Sequence, residues 1–131
     1  MKILVVDDFP TMRRIVKTLL RQSGYDNFVE AEDGGKAYEV LQENPDVAFI
    51  VSDWSMPNVS GLEFLKTVRG DPKFKDLPFL MVTAESERDE TLAAIEAIKS
   101  SACIVKPFTG QALNDKLQKV HTKNSASKKA G

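Results

Sequence analysis

Residues 47–57 read VAFIVSDWSMP. Val47 to Val51 are apolar, Ser52 follows, and an acid, Asp53, comes at once. A short apolar run of this kind predicts a strand buried on both faces. Pro57 lacks an amide hydrogen and favours a turn, so the strand has ended by that point. Asp53 is therefore expected where a central strand leaves the core, a position suited to chemistry.

The rest of the chain bounds what that chemistry can be. It has 131 residues, 42% hydrophobic and 28% charged, which is the size and make-up of one domain with a real core. The formal net charge of −1 gives no bulk electrostatic reason for binding nucleic acid or an acidic membrane. A single cysteine, Cys103, excludes an intrachain disulfide and suits a reducing compartment. Lys2, Asp7 and Asp8 near the start are unlike a signal peptide, and no apolar stretch approaches the roughly 20 residues of a membrane span. A soluble cytoplasmic protein is expected.

From the start of the chain, Ile3 to Val6 form a buried strand ending in Asp7 and Asp8. Pro10 suits the first turn of a helix, where its missing N–H would have no partner. Met12, Ile15, Val16, Leu19 and Leu20 follow at helical spacing, with Arg13, Arg14, Lys17 and Arg21 on a solvated face. Gly24 stops this helix. Phe28 to Ala31 predict a second strand, and Ala37, Val40 and Leu41 a second helix ending before Pro45. After the strand from Val47 to Ser52, Leu62, Phe64, Leu65 and Val68 mark a third helix starting near Ser60. Pro78 to Val82 predict a fourth strand ending at Thr83. Ser86 is the expected N-cap of a fourth helix, with Leu92, Ile95 and Ile98 facing the core. Ala102 to Val105 predict a fifth strand, followed by Lys106, Pro107 and Phe108. Leu113, Leu117 and Val120 define the last helix. A domain over residues 1–121 and a disordered tail over 122–131, TKNSASKKAG, complete the reading. Strands alternating with helices imply an α/β fold, a doubly wound (βα)5 parallel sheet with helices on both faces.

In such sheets, ligands bind beyond the carboxyl ends of the strands. Asp7, Asp8, Asp53, Thr83 and Lys106 should therefore meet on one rim. Close carboxylates repel one another and call for a cation. An all-oxygen ligand set suits a hard divalent ion, Mg²⁺ first. A carboxylate can also act as a nucleophile towards phosphorus. The metal, the lysine and the hydroxyl are the groups that would neutralise and hydrogen-bond the phosphoryl charge. Read alone, each residue has a plainer role: Asp7 and Asp8 as helix-capping turn acids, Asp53 as a turn residue, Thr83 as a strand former, Lys106 as a solvated cation. Their joint placement outweighs those roles.

From Met1 to about Val120 the sequence resembles the receiver domains of bacterial two-component response regulators, and among them the single-domain chemotaxis regulators. The resemblance rests on VVDDFPTMRRIV, EAEDG, SDWSMP, GLEFLK, LPFLMVTAE and VKPFT. It implies the flavodoxin-like strand order 2-1-3-4-5. It further implies that Asp53 accepts a phosphoryl group from a histidine kinase in a Mg²⁺-dependent reaction. Asp8, Asp53 and the backbone carbonyl of Ser55 would bind the ion, with Asp7 acting through water. Lys106 would pair with the phosphoryl group, and Thr83 would turn inward to it and carry the signal outwards. Ser55 and Glu85 stand where receivers tune the phosphoryl lifetime. The implied partners of a monomeric, non-enzymatic regulator are a sensor kinase, the flagellar motor switch and a phosphatase.

Two features depart from that pattern. Cys103 stands where receivers of this type usually carry a tyrosine or phenylalanine that swings inward with the threonine. Its plain reading is a small, semi-buried apolar residue. Lys99 replaces a common glycine, and Thr91 replaces the apolar residue that chemotaxis regulators offer to the motor. These differences leave a phosphate sink, or control of another target, as the alternative function. Trp54 and Met56 are expected to be packing or surface residues, and His121 a surface residue at a helix end. An aspartyl-phosphate phosphatase is a poor third reading, because Ser55 stands where such enzymes need a second acid. A nucleotide-binding flavodoxin-like protein is also poor, because no Gly-rich loop follows the first strand.

Overall fold

The computed structural model describes residues 1–96, 98, 101–106 and 108–119. The expectations for Lys99, Pro107, Val120, His121 and the tail lie outside these residues. Five strands, β1 (Lys2–Val6), β2 (Asn27–Ala31), β3 (Val47–Asp53), β4 (Phe79–Thr83) and β5 (Ser101–Val105), form one sheet in the order β2-β1-β3-β4-β5. All four neighbouring pairs are parallel. The helices are α1 (Pro10–Gln22), α2 (Gly34–Glu43), α3 (Gly61–Gly70), α4 (Arg88–Ile95) and α5 over 110–119. No described helix is long and apolar enough to cross a membrane.

Period-two alternation divides the core into two layers. Ile3 and Val5 of β1 pack with Val16 and Leu20 of α1 and with Leu113 and Leu117 of α5. Leu4 and Val6 join Ala37 and Leu41 of α2, Phe64, Leu65 and Val68 of α3, and Ile95 of α4. Each fully buried side chain of this size contributes about 1.5–3 kcal/mol relative to exposure. Two helix ends follow from local sequence. Gly24, at φ +97°, lets Tyr25 N–H reach the Leu20 carbonyl and its own N–H reach Arg21, closing α1 in a Schellman motif. Ser60 and Glu63 form a reciprocal capping box at the start of α3.

Several expectations change in detail. β3 runs one residue past the expected end at Ser52, because Asp53 still pairs with Val82. Ser86 does not cap α4. A 3-10 turn over Glu85–Glu87 precedes the helix, and α4 begins without a side-chain cap. Leu92 is exposed, and Thr91 takes the inward place beside Ile95. The inward threonine is tolerated because its hydroxyl has partners, at Glu87 and Thr83. The basic face of α1 is not simply solvated. Arg13 and Lys17 both pair with Glu30 on β2, and the Arg21 guanidinium lies 5.3 Å over the Phe28 ring. Trp54 and Met56 pack, half-buried, against the core.

Candidate phosphoacceptor site

The strand ends bring Asp7, Asp8 and Asp53 together. One carboxylate oxygen from each lies within 4.8 Å of the others. Asp7 is held in place from three sides. Its N–H donates to the Ala31 carbonyl, its carboxylate accepts from Phe9 N–H at 2.9 Å, and its carbonyl accepts from Arg13 at 2.6 Å. Asp53 is buried at the tip of β3, and its Oδ1 accepts from Trp54 N–H at 3.0 Å. The Lys106 ammonium lies 3.3 Å from the same oxygen. Lys106 is itself fixed to β4 by donating its N–H to the Thr83 carbonyl.

The close approach of α3 depends on Gly61. A Cβ there would stand 2.2 Å from the Asp53 carbonyl oxygen. The N–H of Gly61 donates to the Trp54 carbonyl, so the turn after β3 folds back tightly on that strand. Asn58, at φ 66°, sits in the left-handed region within that turn.

Electrostatics at the rim are dominated by burial. It is the largest cause raising the Asp7 carboxyl to about 6, with Asp53 and Asp8 adding repulsion against the Phe9 N–H and Lys106. Burial also raises Asp53, opposed chiefly by Lys106. Asp8 Oδ1 is buried without a hydrogen-bond partner. A buried acceptor without a donor, beside two other carboxylates, is what a hard cation would satisfy. The donor set therefore fits a divalent ion such as Mg²⁺.

Thr83, at the end of β4, is fully buried, and its hydroxyl meets Thr91 at 2.9 Å. Ser55 and Glu85, two residues beyond Asp53 and Thr83 in sequence, are exposed. Cys103 is buried on β5, and burial raises its thiol above the ordinary value. It borders a cavity of about 320 Å³ with Arg88, Leu92 and Lys116. Sequence reasoning missed the Thr83–Thr91 contact and the Arg13 anchor on Asp7. It had no signal for either, because both join residues of different elements.

The sequence pattern described as the response regulator receiver domain matches residues 3–118. The chain belongs to the response regulator receiver family. This receiver is 48% identical over 120 residues to the chemotaxis protein CheY of Pseudomonas aeruginosa, covering 92% of this chain and 95% of that protein. It is 49% identical to CheY-3 of Vibrio cholerae, with coverage of 92% and 91%. Among solved structures, the chemotaxis response regulator CheY4 of Vibrio cholerae superposes with a TM-score of 0.79 at 34% identity, covering 91% of this receiver and 97% of that chain. A receiver domain protein of Clostridium thermocellum shares the fold at a TM-score of 0.82 and 22% identity, with coverage of 95% and 97%.

Proposed function

We propose that this receiver is a phosphorylation-switched regulator of chemotaxis, acting in the cytoplasm on the flagellar motor, with Asp53 as its phosphoacceptor. The observation that carries the reading is the convergence of Asp7, Asp8 and Asp53 within 4.8 Å, with Lys106 3.3 Å from Asp53. A carboxylate oxygen of Asp53 attacks the phosphorus of a kinase phosphohistidine. The P–N bond breaks, the imidazole nitrogen keeps its electron pair, and Asp53 becomes an acyl phosphate. Lys106 stays with the new anionic oxygens. Thr83 turns to hydrogen-bond one of them, and α4 and β5 respond.

Mg²⁺ would be held by Asp8, Asp53 and the Ser55 carbonyl, with Asp7 acting through water, and would supply charge neutralisation to the transfer. Ser55 and Glu85, exposed two residues beyond Asp53 and Thr83, would tune how readily water removes the phosphoryl group. The names of the curated relatives, chemotaxis proteins, support chemotaxis as the process served.

One observation favours a second output. Cys103 offers a small thiol bordering an open cavity on the α4–β5 face, where a swinging ring would otherwise couple to Thr83. A non-motor target, or a phosphate sink, follows if that face does not dock the motor protein. Incubation with acetyl phosphate and Mg²⁺ tests the chemistry. Intact mass rises by one phosphoryl group in the wild type and not in Asp53→Asn; phosphorylation at another residue overturns the assignment. A pulldown of the motor switch protein with beryllofluoride and Mg²⁺ separates the two outputs.

A further inference from the structure

Two buried hydroxyls face each other at the end of β4. Thr83 Oγ1 lies 2.9 Å from Thr91 Oγ1, and Thr91 Oγ1 lies 2.8 Å from the Glu87 carbonyl oxygen. Both threonines are fully buried. Each hydroxyl has one proton to give. The Glu87 carbonyl can only accept, so the Thr91 proton goes there. The proton between the two threonines therefore belongs to Thr83. The Ala84 carbonyl, at 3.4 Å from Thr83 Oγ1, is a much poorer acceptor for it. Thr83 thus spends its only proton on α4, away from the acidic rim.

We propose that Thr91 is a positioning residue that latches Thr83 in the resting conformation. The inference rests on the reading of Asp53 as phosphoacceptor and Thr83 as the group that turns to it. Thr83 must break its bond to Thr91 before it can donate to a phosphoryl oxygen. Thr91 then keeps its own donor satisfied at Glu87, so release strands no buried N–H or O–H. The latch therefore costs the active state one hydrogen bond and nothing more. A hydrogen bond between neutral groups of this kind biases such an equilibrium about two- to tenfold.

The test compares Thr91→Val, which keeps the shape and loses the hydroxyl, with Thr91→Ser, which keeps the hydroxyl. Beryllofluoride with Mg²⁺ is titrated into each protein, followed by fluorescence of the single tryptophan, Trp54, whose N–H bonds Asp53. Thr91→Val is expected to saturate at about two- to tenfold lower beryllofluoride than wild type, and Thr91→Ser at the wild-type concentration. In a Thr83→Ala background, which lacks the hydroxyl to be latched, Thr91→Val is expected to change nothing. Equal saturation of wild type and Thr91→Val overturns the latch. So does an equal shift in Thr91→Ser, or a shift that persists in the Thr83→Ala background. Thr91→Ala serves as a second hydroxyl-free variant, with the same expectation, where Thr91→Val does not fold. A wild type that gives no beryllofluoride response overturns the Asp53 reading, and the latch with it.

Discussion

Replacing Asp7 with asparagine should stabilise the metal-free protein at neutral pH. Asp7 is only 3% exposed, and its carboxyl is raised from the ordinary 3.8 to about 6. Burial is the main cause, and the nearby carboxylates add to it. A group whose folded value is raised gives its full stabilisation below its unfolded value and loses it as pH rises through its folded value. The protonated Asp7 thus helps the fold below about pH 4, and that help is gone above about pH 6. At about 1.4 kcal/mol per pH unit, the loss at pH 7 amounts to about 3 kcal/mol. An asparagine side chain does not titrate, and its amide oxygen can still accept from Phe9 N–H. Urea unfolding in EDTA, repeated from pH 4 to 7.5, measures the stability gap between Asp7→Asn and wild type. The gap should be near zero at pH 4 and grow to as much as about 3 kcal/mol at pH 7. Excess Mg²⁺ at pH 7 should shrink it by stabilising the wild type more. A gap of the same size at pH 4 and pH 7, or a variant less stable than wild type at pH 7, refutes the reasoning.

Gly61→Ala drives a methyl group into the Asp53 carbonyl at 2.2 Å and the Met81 sulfur at 2.8 Å. The thioether can move but the strand backbone cannot, so unfolding experiments should show a loss of about 1–3 kcal/mol, and acetyl phosphate labelling should slow; unchanged stability contradicts the close packing. Cys103→Tyr fills the cavity of about 320 Å³ bordered by Arg88, Leu92 and Lys116. It should raise affinity for the output partner in the beryllofluoride-bound form, and equal affinity of variant and wild type rules out a role for the missing ring.

The acidic rim is legible because its members stand at or within two residues of the end of an apolar run. In a parallel sheet all such ends lie on one side, so placing the strands placed Asp7, Asp8, Asp53 and Lys106 as well. The strand order came from the family likeness, since alternation alone does not say which strands are neighbours. The fourth helix is less legible. Hydrophobicity assigned Leu92 to the core, but the structure buries Thr91, whose two hydrogen bonds remove the usual cost of hiding a hydroxyl. Ser86 looked like a cap, yet the Glu87 N–H already finds the Ala84 carbonyl in the 3-10 turn. Arg13 and Lys17 looked solvated because Glu30, their partner, lies on another element. Gly61 opens the GLEFLK motif, but the motif does not say why a glycine is needed, because its importance is the distance to a carbonyl from a different stretch of chain.

The sheet also acts as a wall between two half-cores. Thr83 follows Phe79 and Met81 in alternation, and so shares their side with α2, α3 and α4. Val16, Leu20, Leu113 and Leu117 lie on the opposite side. On the proposed reading, a signal from Asp53 to α4 would pass over the strand ends, on the side away from that second layer. The layer beneath α1 and α5 would then be ballast: volume-conserving drift there would change how firmly the domain stands but leave the proposed switch alone. The layer beneath α4 would have no such freedom, since on that reading the same atoms both hold the fold and let it shift.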